Sequence, residues 1–102
     1  MKIRYKRAAL LDIQQKYDYI ANVLKNKKAA QTLVERILHA VSQLTDNPMI
    51  GTSLNSKFDV NSDLRFLIVA KQLVFYRIED IDIISIVRVL DGRQDYISIL
   101  FE

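Results

Sequence analysis

Four arginines in the C-terminal half of the chain are the residues best placed to support chemistry. They lie in or beside predicted strands, and they are Arg65, Arg77, Arg88 and Arg93. An arginine whose strand neighbours are apolar either pairs with an acidic residue or lines a polar site. Clustered guanidiniums would suit a phosphate backbone or the pentavalent phosphate of RNA cleavage, because their planar forks match both. The acids available for simple pairing are Asp63, Asp91 and Asp95.

RNA cleavage by the 2′-hydroxyl also requires one group that takes a proton and one that gives it. The one histidine, His39, falls in a predicted helix and is assigned no function. Tyrosines and carboxylates are the other groups able to transfer a proton, provided that their surroundings change their proton affinity. Tyr76 sits in an apolar run and is expected in the core. The full set of candidates is Tyr76, Tyr96, Asp91, Asp95 and Glu79.

Composition excludes several kinds of site. The 102 residues include no Cys, one His and two Gly. Thiol catalysis, disulfides and Cys-based zinc sites are therefore impossible, and too few ligands remain to favour a transition-metal site. A Gly-rich phosphate loop, a nucleophile elbow and a dinucleotide-binding fingerprint are all missing. We expect neither a metal nor a cofactor.

Two helices are predicted between a short first strand and the middle of the chain. Residues 2–6 alternate polar and apolar types, as a half-buried strand does. The first helix has an apolar stripe at Ala9, Ile13, Tyr17, Ile20 and Leu24, and its opposite face carries Asp12, Gln15, Asp18 and Asn22. The second stripe comprises Ala30, Leu33, Ile37, Val41 or Ala40, and Leu44.

The segments after each predicted helix indicate where that helix ends. Residues 26–28 allow only a tight reversal between the helices, which predicts an antiparallel pair. Asn47 and Pro48 end the second helix, and residues 51–62 have the composition of a loop.

Three strands rich in Val, Ile, Phe and Tyr are predicted after that loop, at 64–70, 73–78 and 83–90. The breaks at 71–72 and 79–82 have hairpin lengths, so the strands should form an antiparallel meander. The apolar tail that follows Gly92 is expected to dock on the domain. The sequence thus predicts one α+β domain over residues 1–102, with the order β-α-α-β-β-β and an antiparallel sheet packed on an antiparallel pair of helices.

Charge is unevenly distributed along the chain. Residues 1–50 carry nine Lys or Arg and four acids, whereas residues 51–102 carry six and eight. A basic half of this kind attracts nucleic acid or an acidic protein segment, although it is also common as a solvated surface. No apolar run approaches the length of a membrane span, and the N-terminus lacks a signal-peptide core. We expect a cytoplasmic protein that does not contact membranes.

Several of these segments together resemble the RelE/ParE superfamily of toxins from bacterial type II toxin–antitoxin systems. The resemblance covers nearly the whole chain, although no single piece is specific. The matching pieces are Ala9-x-x-Asp12-Ile13 with Tyr19-Ile20-Ala21, Leu44-x-x-x-Pro48-x-x-Gly51, Leu64-Arg65, Leu73-Val74-Phe75-Tyr76-Arg77-Ile78, and Ile86-x-Arg88-Val89-Leu90-Asp91-Gly92-Arg93-Gln94-Asp95-Tyr96.

This resemblance implies a growth-arresting toxin that a cognate antitoxin protein neutralises. RelE-like members of the superfamily enter the ribosome and cut mRNA, whereas ParE-like members poison DNA gyrase by binding. If the chain is an mRNA interferase, the resemblance implies that Arg65, Arg88 and Arg93 hold the scissile phosphate and that Asp95 or Tyr96 assists proton transfer. If it is a gyrase inhibitor, those residues and the C-terminal tail form a contact surface. A weaker hypothesis is an interaction module that has lost toxicity.

The chain departs from the interferase pattern at two positions. Interferases usually carry an arginine immediately before the third-strand segment, where this chain has Gln72 preceded by Lys71. The position before Gly92, often His or Tyr in relatives, is Asp91. Both departures weaken the endoribonuclease hypothesis, whereas Arg65, Arg88, Arg93 and Tyr96 look similar to positions near the active face of interferases. The sequence does not decide between ribosome and gyrase. A ribosome-dependent mRNA interferase is the first expectation, and a gyrase inhibitor is the alternative.

Overall fold

The computed structural model describes residues 1–101, in which two helices lie on one face of a five-stranded sheet. Strand β1 (Lys2–Tyr5) leads into helix α1 (Arg7–Asp18), which continues as a π-helical turn at Tyr19–Val23. Helix α2 (Lys27–Ser42) follows and ends in a 3₁₀ turn, Gln43–Thr45. The predicted first strand and both predicted helices are confirmed. The antiparallel orientation of the helices stays a prediction.

The C-terminal half builds the rest of the sheet. A two-residue strand, β2 (Thr52–Ser53), and a single helical turn, α3 (Leu54–Lys57), precede β3 (Arg65–Val69), β4 (Gln72–Asp80) and β5 (Ile83–Asp91). A short helix, α4 (Tyr96–Phe101), ends the described chain. Both β2 and α3 lie in the segment predicted to be a loop, because elements this short show no hydrophobic period.

The strand order is β1-β5-β4-β3-β2. Strands β2, β3, β4 and β5 pair antiparallel, which confirms the meander. The predicted wholly antiparallel sheet needs a correction at β1, which pairs in parallel with β5, Ile3 opposite Ile84. Parallel pairing requires a long crossover connection. The helices and the meander that separate β1 from β5 in sequence supply that connection.

The turn between β3 and β4 is formed by Ala70 and Lys71, one residue earlier than predicted. Both residues have positive φ, 48° and 68°, as a tight two-residue hairpin requires. Gln72 therefore becomes the first residue of β4 and pairs across the sheet with Asp91. This register brings together the two positions at which the chain departs from the interferase pattern.

Apolar side chains pack on both faces of the sheet. The helix-side cluster joins α1 and α2 to the sheet and includes Ala9, Ile37, Val41, Val74 and Ile84. The cluster on the opposite face includes Leu54, Phe66, Phe75 and Leu90, and the α4 residues Tyr96, Ile97, Ile99 and Leu100 pack against it. The prediction that the apolar tail docks on the domain is confirmed.

Candidate functional site

Arg88 is held by a buried carboxylate of α1. Its Nε lies 2.7 Å from Asp12 Oδ2 and its Nη2 lies 2.9 Å from Asp12 Oδ1, so the pair is bidentate. The backbone N–H of Val89 also donates to Asp12 Oδ2 at 2.9 Å. The predicted placement of Asp12 on the exposed face of the first helix is wrong, because only 6% of the residue is exposed. Its three hydrogen bonds satisfy a carboxylate that burial would otherwise destabilise.

A register irregularity in the sheet accompanies this contact. Between Phe75 and Tyr76 the pairing of β4 with β5 shifts by one residue. Ile84, Ile86 and Val89 all belong to the helix-side cluster, at spacings of two and then three residues. A bulge of this kind interrupts the alternation of a strand and redirects a side chain. The bulge thus brings Val89 to the helix side directly after Arg88, and both residues bond Asp12 of α1.

Lys16, one helical turn after Asp12, forms a second polar contact between α1 and β5. Its Nζ donates to the carbonyl oxygen of Val89 at 2.7 Å. Burial lowers the pKa of the Lys16 ammonium, and the negative charges of Asp12 and Asp91 partly offset that effect. Two side chains on adjacent turns of α1 thereby fix the helix to the same stretch of β5.

The side chain of Arg65 binds the loop that follows α2. Its Nη2 donates to the carbonyl oxygens of Gly51, at 2.7 Å, and Met49, at 3.1 Å. Tyr76 anchors the same loop, since its hydroxyl accepts from Gly51 N at 2.9 Å and donates to Pro48 O at 2.8 Å. Tyr76 is fully buried, which confirms its predicted place in the core.

Arg93 and Arg77 each pair with an acid of the C-terminal half, two and 14 positions away in sequence. Arg93 Nε and Nη2 contact the two oxygens of Asp91 at 3.0 and 2.8 Å, and its backbone N–H donates to Asp91 Oδ1 at 2.8 Å. Arg77 Nε lies 2.8 Å from Asp63 Oδ1. Both acids were among the predicted partners. The charged hydrogen bonds from Arg93 hold the pKa of the Asp91 carboxyl well below its usual range.

Gln72 and Asp91 border a surface cavity of about 390 Å³ at the end of the sheet. The Gln72 side chain is buried, and its Nε2 lies 3.5 Å from Asp91 Oδ2. Lys16, Tyr19 and Arg93 also line the cavity. The cavity therefore contains an ionised carboxylate that is already paired.

The remaining three candidates, Glu79, Asp95 and Tyr96, have structural contacts of their own. Glu79 Oε1 lies 3.4 Å from Lys6 Nζ. Asp95 accepts hydrogen bonds from the backbone N–H and the hydroxyl of Ser98, at 3.4 and 3.1 Å, at the start of α4. The Tyr96 ring packs against Phe58 and Phe75, with centroids 5.8 and 5.6 Å apart. These contacts belong to the cluster on the face opposite the helices, whereas Arg88 contacts α1. The five predicted site residues are thus distributed over both faces of the sheet.

Asp91→Asn tests whether the Asp91 carboxylate, paired with Arg93, stabilises the fold. An unfolded aspartate titrates near pH ~3.9, so a carboxylate with a depressed folded-state pKa contributes stability above about pH 4. That contribution is lost as the pH falls toward the folded-state pKa. We expect the wild type to have the higher melting temperature at pH 7, and the difference to shrink as the pH falls below about 4. Thermal unfolding of both proteins between pH 7 and pH 2 measures it.

Asp59→Asn is the matched control for that experiment, because Asp59 is exposed and makes no ion pair within residues 1–101. It should leave the pH dependence of the wild type unchanged. A melting-temperature difference between wild type and Asp91→Asn that stays constant down to pH 2 contradicts the assignment.

Metal-binding clusters and membrane-spanning helices are both absent from the described residues. No group of three or more His, Cys, Asp or Glu side chains in residues 1–101 is arranged to hold a metal ion. Within the same residues, every helix falls short of the length and hydrophobicity needed to cross a bilayer.

The chain matches one family model and is similar in fold to solved structures. A family model described as the ParE toxin of the type II toxin–antitoxin system parDE matches residues 3–96. A solved structure titled as the chromosomal ParDE toxin–antitoxin system from P. aeruginosa aligns with a TM-score of 0.73 and 22% sequence identity. The alignment covers 89% of this chain and 95% of that one, and at this identity it supports the fold alone. No curated protein sequence matches the chain significantly.

Proposed function

Because this chain belongs to the ParE toxin family of type II toxin–antitoxin systems, we propose that it arrests growth by binding and inhibiting DNA gyrase, without cleaving RNA. A type II toxin has a cognate antitoxin protein as its partner. The superfamily contains both gyrase inhibitors and mRNA interferases. The contacts of the five candidate residues favour the first.

The observation that carries the proposal is that all three candidate arginines are already bound within the chain. Arg88 is paired with Asp12, Arg93 with Asp91, and Arg65 donates to two backbone carbonyls. Stabilising a pentavalent phosphate requires hydrogen-bond donors that are preorganised toward the phosphate. A phosphate bound to the same fork of Arg88 or Arg93 would have to displace Asp12 or Asp91, and Asp12 is buried.

The cavity beside Gln72 supports the same conclusion. Interferases of the superfamily usually carry an arginine at the position of Gln72. This chain has a neutral carboxamide there. The neighbouring Asp91 is ionised, since its pKa is depressed. Asp91 already occupies the guanidinium of Arg93, so a phosphodiester in this cavity would have to compete with that carboxylate for the donors of Arg93.

The two residues expected to assist proton transfer, Asp95 and Tyr96, are held in other contacts. Asp95 is engaged by Ser98, and the ring of Tyr96 packs in the cluster on the opposite face from Arg88. A general acid or base must lie within hydrogen-bond reach of the atom that it serves. Inhibition through contact alone needs no such group.

The test adds the purified toxin to two reactions in parallel: DNA supercoiling by purified gyrase, and coupled translation with mRNA ends mapped by primer extension. We expect supercoiling to be inhibited and mRNA to stay intact, and inhibition to be reversed by the cognate antitoxin. Ribosome-dependent mRNA cuts with unaffected supercoiling would overturn the proposal.

Arg93→Ala and Tyr96→Phe separate contact from catalysis in the same reactions. Arg93 is 82% exposed, so its loss should not disturb the fold. For a contact surface we expect a graded loss of inhibition, below about tenfold for each change. A loss of activity by several orders of magnitude with unchanged antitoxin binding would indicate a catalytic site instead.

A further inference from the structure

The segment that joins α1 to α2 exposes an unusual set of apolar side chains. We call residues 19–28 the inter-helix segment. Tyr19, Val23 and Leu24 are 56%, 64% and 56% exposed, although each is large and apolar. Single exposed apolar residues are common on protein surfaces, but a group within six positions marks an interaction surface.

The π-helical turn places these three side chains together. The N–H of Leu24 donates to the carbonyl oxygen of Tyr19 at 3.1 Å, a bond between residues five positions apart. Tyr19 therefore lies one turn before both Val23 and Leu24 on the same side of the helix. π-helical turns are rare and occur frequently at functional sites.

Lysines flank this apolar group without acidic neighbours in sequence. No Asp or Glu occurs between Asp18 and Glu35, whereas Lys25, Lys27 and Lys28 all fall in that interval. All three lysines are exposed, and none pairs with an acid in the part of the chain that the structure describes. In contrast, the three candidate arginines are engaged within the chain: Arg88 and Arg93 pair with acids, and Arg65 donates to backbone carbonyl oxygens.

The backbone of the segment is well defined. Lys25 adopts a left-handed conformation with φ of 55°, which ends the first helical run. The N–H of Asn26 donates to Ile20 O at 3.0 Å, and the Asn26 side chain accepts from Ala29 N at 3.0 Å, capping α2. A surface held by such bonds loses little conformational entropy on binding.

We propose that the inter-helix segment is the surface that contacts gyrase, and that it binds an acidic region of the enzyme that contains an apolar cleft. The proposal rests on the proposed function. Charge complementarity identifies the acidic character of the partner, since three unpaired lysines lie beside the apolar group. A nucleic acid would satisfy the lysines but leave Val23 and Leu24 exposed to water. Arg65 and Arg88, which the contact hypothesis first suggested, are used inside the fold.

A different surface remains for the antitoxin. Strand β2 covers only Arg65 and Phe66 of β3, so Leu67, Ile68 and Val69 form an open sheet edge. Ile68 is exposed at this edge. Open edges accept an added strand from a partner. Changes in the inter-helix segment should therefore affect the target and leave antitoxin binding intact.

The test uses the double variant Lys27→Glu/Lys28→Glu. These are the first two residues of α2, where negative charge favours the helix dipole, so the fold should be kept. The matched control is Lys2→Glu/Arg7→Glu, which makes the same change in net charge at exposed positions of β1 and at the first residue of α1. A second variant, Val23→Ser/Leu24→Ser, removes the apolar side chains.

Supercoiling inhibition is measured for each full-length protein, with antitoxin affinity measured separately. We expect both segment variants to need at least about tenfold more toxin for half-inhibition, and the control less than about threefold more. Antitoxin affinity should change by less than about threefold. Inhibition by the wild type should weaken with added salt more than inhibition by the Lys27→Glu/Lys28→Glu variant.

Three results would overturn the proposal. If the segment variants inhibit as well as the control, or lose antitoxin affinity while still inhibiting gyrase, the segment is not the gyrase contact although gyrase is the target. If the wild type does not inhibit gyrase, the proposed function fails and this inference fails with it.

Discussion

Asp12→Ala is expected to lower the free energy of unfolding by about 3 kcal/mol, near the lower end of the range for breaking a buried ion pair. The change removes both acceptors of Arg88 and the acceptor of the Val89 N–H. The lower end applies because the Arg88 side chain is 29% exposed, so water can reach the orphaned guanidinium. Urea-induced unfolding followed by circular dichroism gives the value.

Asp18→Ala is the matched control for that change. Asp18 lies on the same helix but is exposed and accepts one hydrogen bond, from Gln14 at 3.0 Å. Its loss should cost less than about 0.5 kcal/mol. If the two alanine variants have equal stability, Asp12 does not fix α1 to the sheet. Asp12→Asn should fall between them, because it keeps the shape of the side chain but loses its charge.

Gly51→Ala is expected to lower the free energy of unfolding by about 3 kcal/mol, at the upper end of the usual range for overpacking. A Cβ at this position would lie 2.5 Å from the Tyr76 hydroxyl oxygen and 2.8 Å from the backbone oxygen of Phe66. Neither atom moves easily, since Tyr76 is fully buried and Phe66 belongs to β3. Thermal and urea unfolding measure the loss.

Gly92→Ala is the control, as Gly92 is the chain's other glycine. Its added Cβ would lie 3.0 Å from Leu73 Cδ1 and 3.1 Å from Lys71 O, distances that a small adjustment relieves. We expect a cost of about 1 kcal/mol. Equal costs at the two glycines would contradict the steric argument.

Tyr76→Phe completes a double-mutant cycle with Gly51→Ala. The phenylalanine variant loses the hydrogen bonds with Pro48 and Gly51 but removes the hydroxyl oxygen, the atom nearest to the new methyl group, while a ring carbon at 2.7 Å remains. The double variant should therefore be more stable than the sum of the single changes predicts. Strict additivity would mean that the hydroxyl is not what the methyl group meets.

The helices and the meander were predictable because their signals are local. Apolar residues three or four apart on a helix, and alternating residues on a strand, indicate burial without knowledge of any distant partner. The register of the first hairpin was not predictable to the residue. The left-handed turn uses Ala70 and Lys71, neither of which is a typical turn residue.

Some of the acids that pair with the arginines could be predicted from the sequence, and one could not. Arg93 with Asp91 and Arg77 with Asp63 were predictable, since neighbouring segments bring those residues together. Arg88 with Asp12 was not predictable, as 76 positions separate them and the helical period placed Asp12 on the exposed face. A hint existed in the sequence, because Asp12 and Lys16 are one turn apart and border the apolar stripe of α1.

The sequence by itself determined the order of the two long helices and the four main strands, because periodicity and composition are properties of neighbouring residues. The family followed from the resemblance. Only the tertiary structure decided which charges are paired internally and which stay unpaired on the surface. Pairing depends on contacts between segments far apart in the chain, such as α1 with β5. Those contacts engage Arg65 and Arg88 within the fold and leave Lys25, Lys27 and Lys28 on the surface.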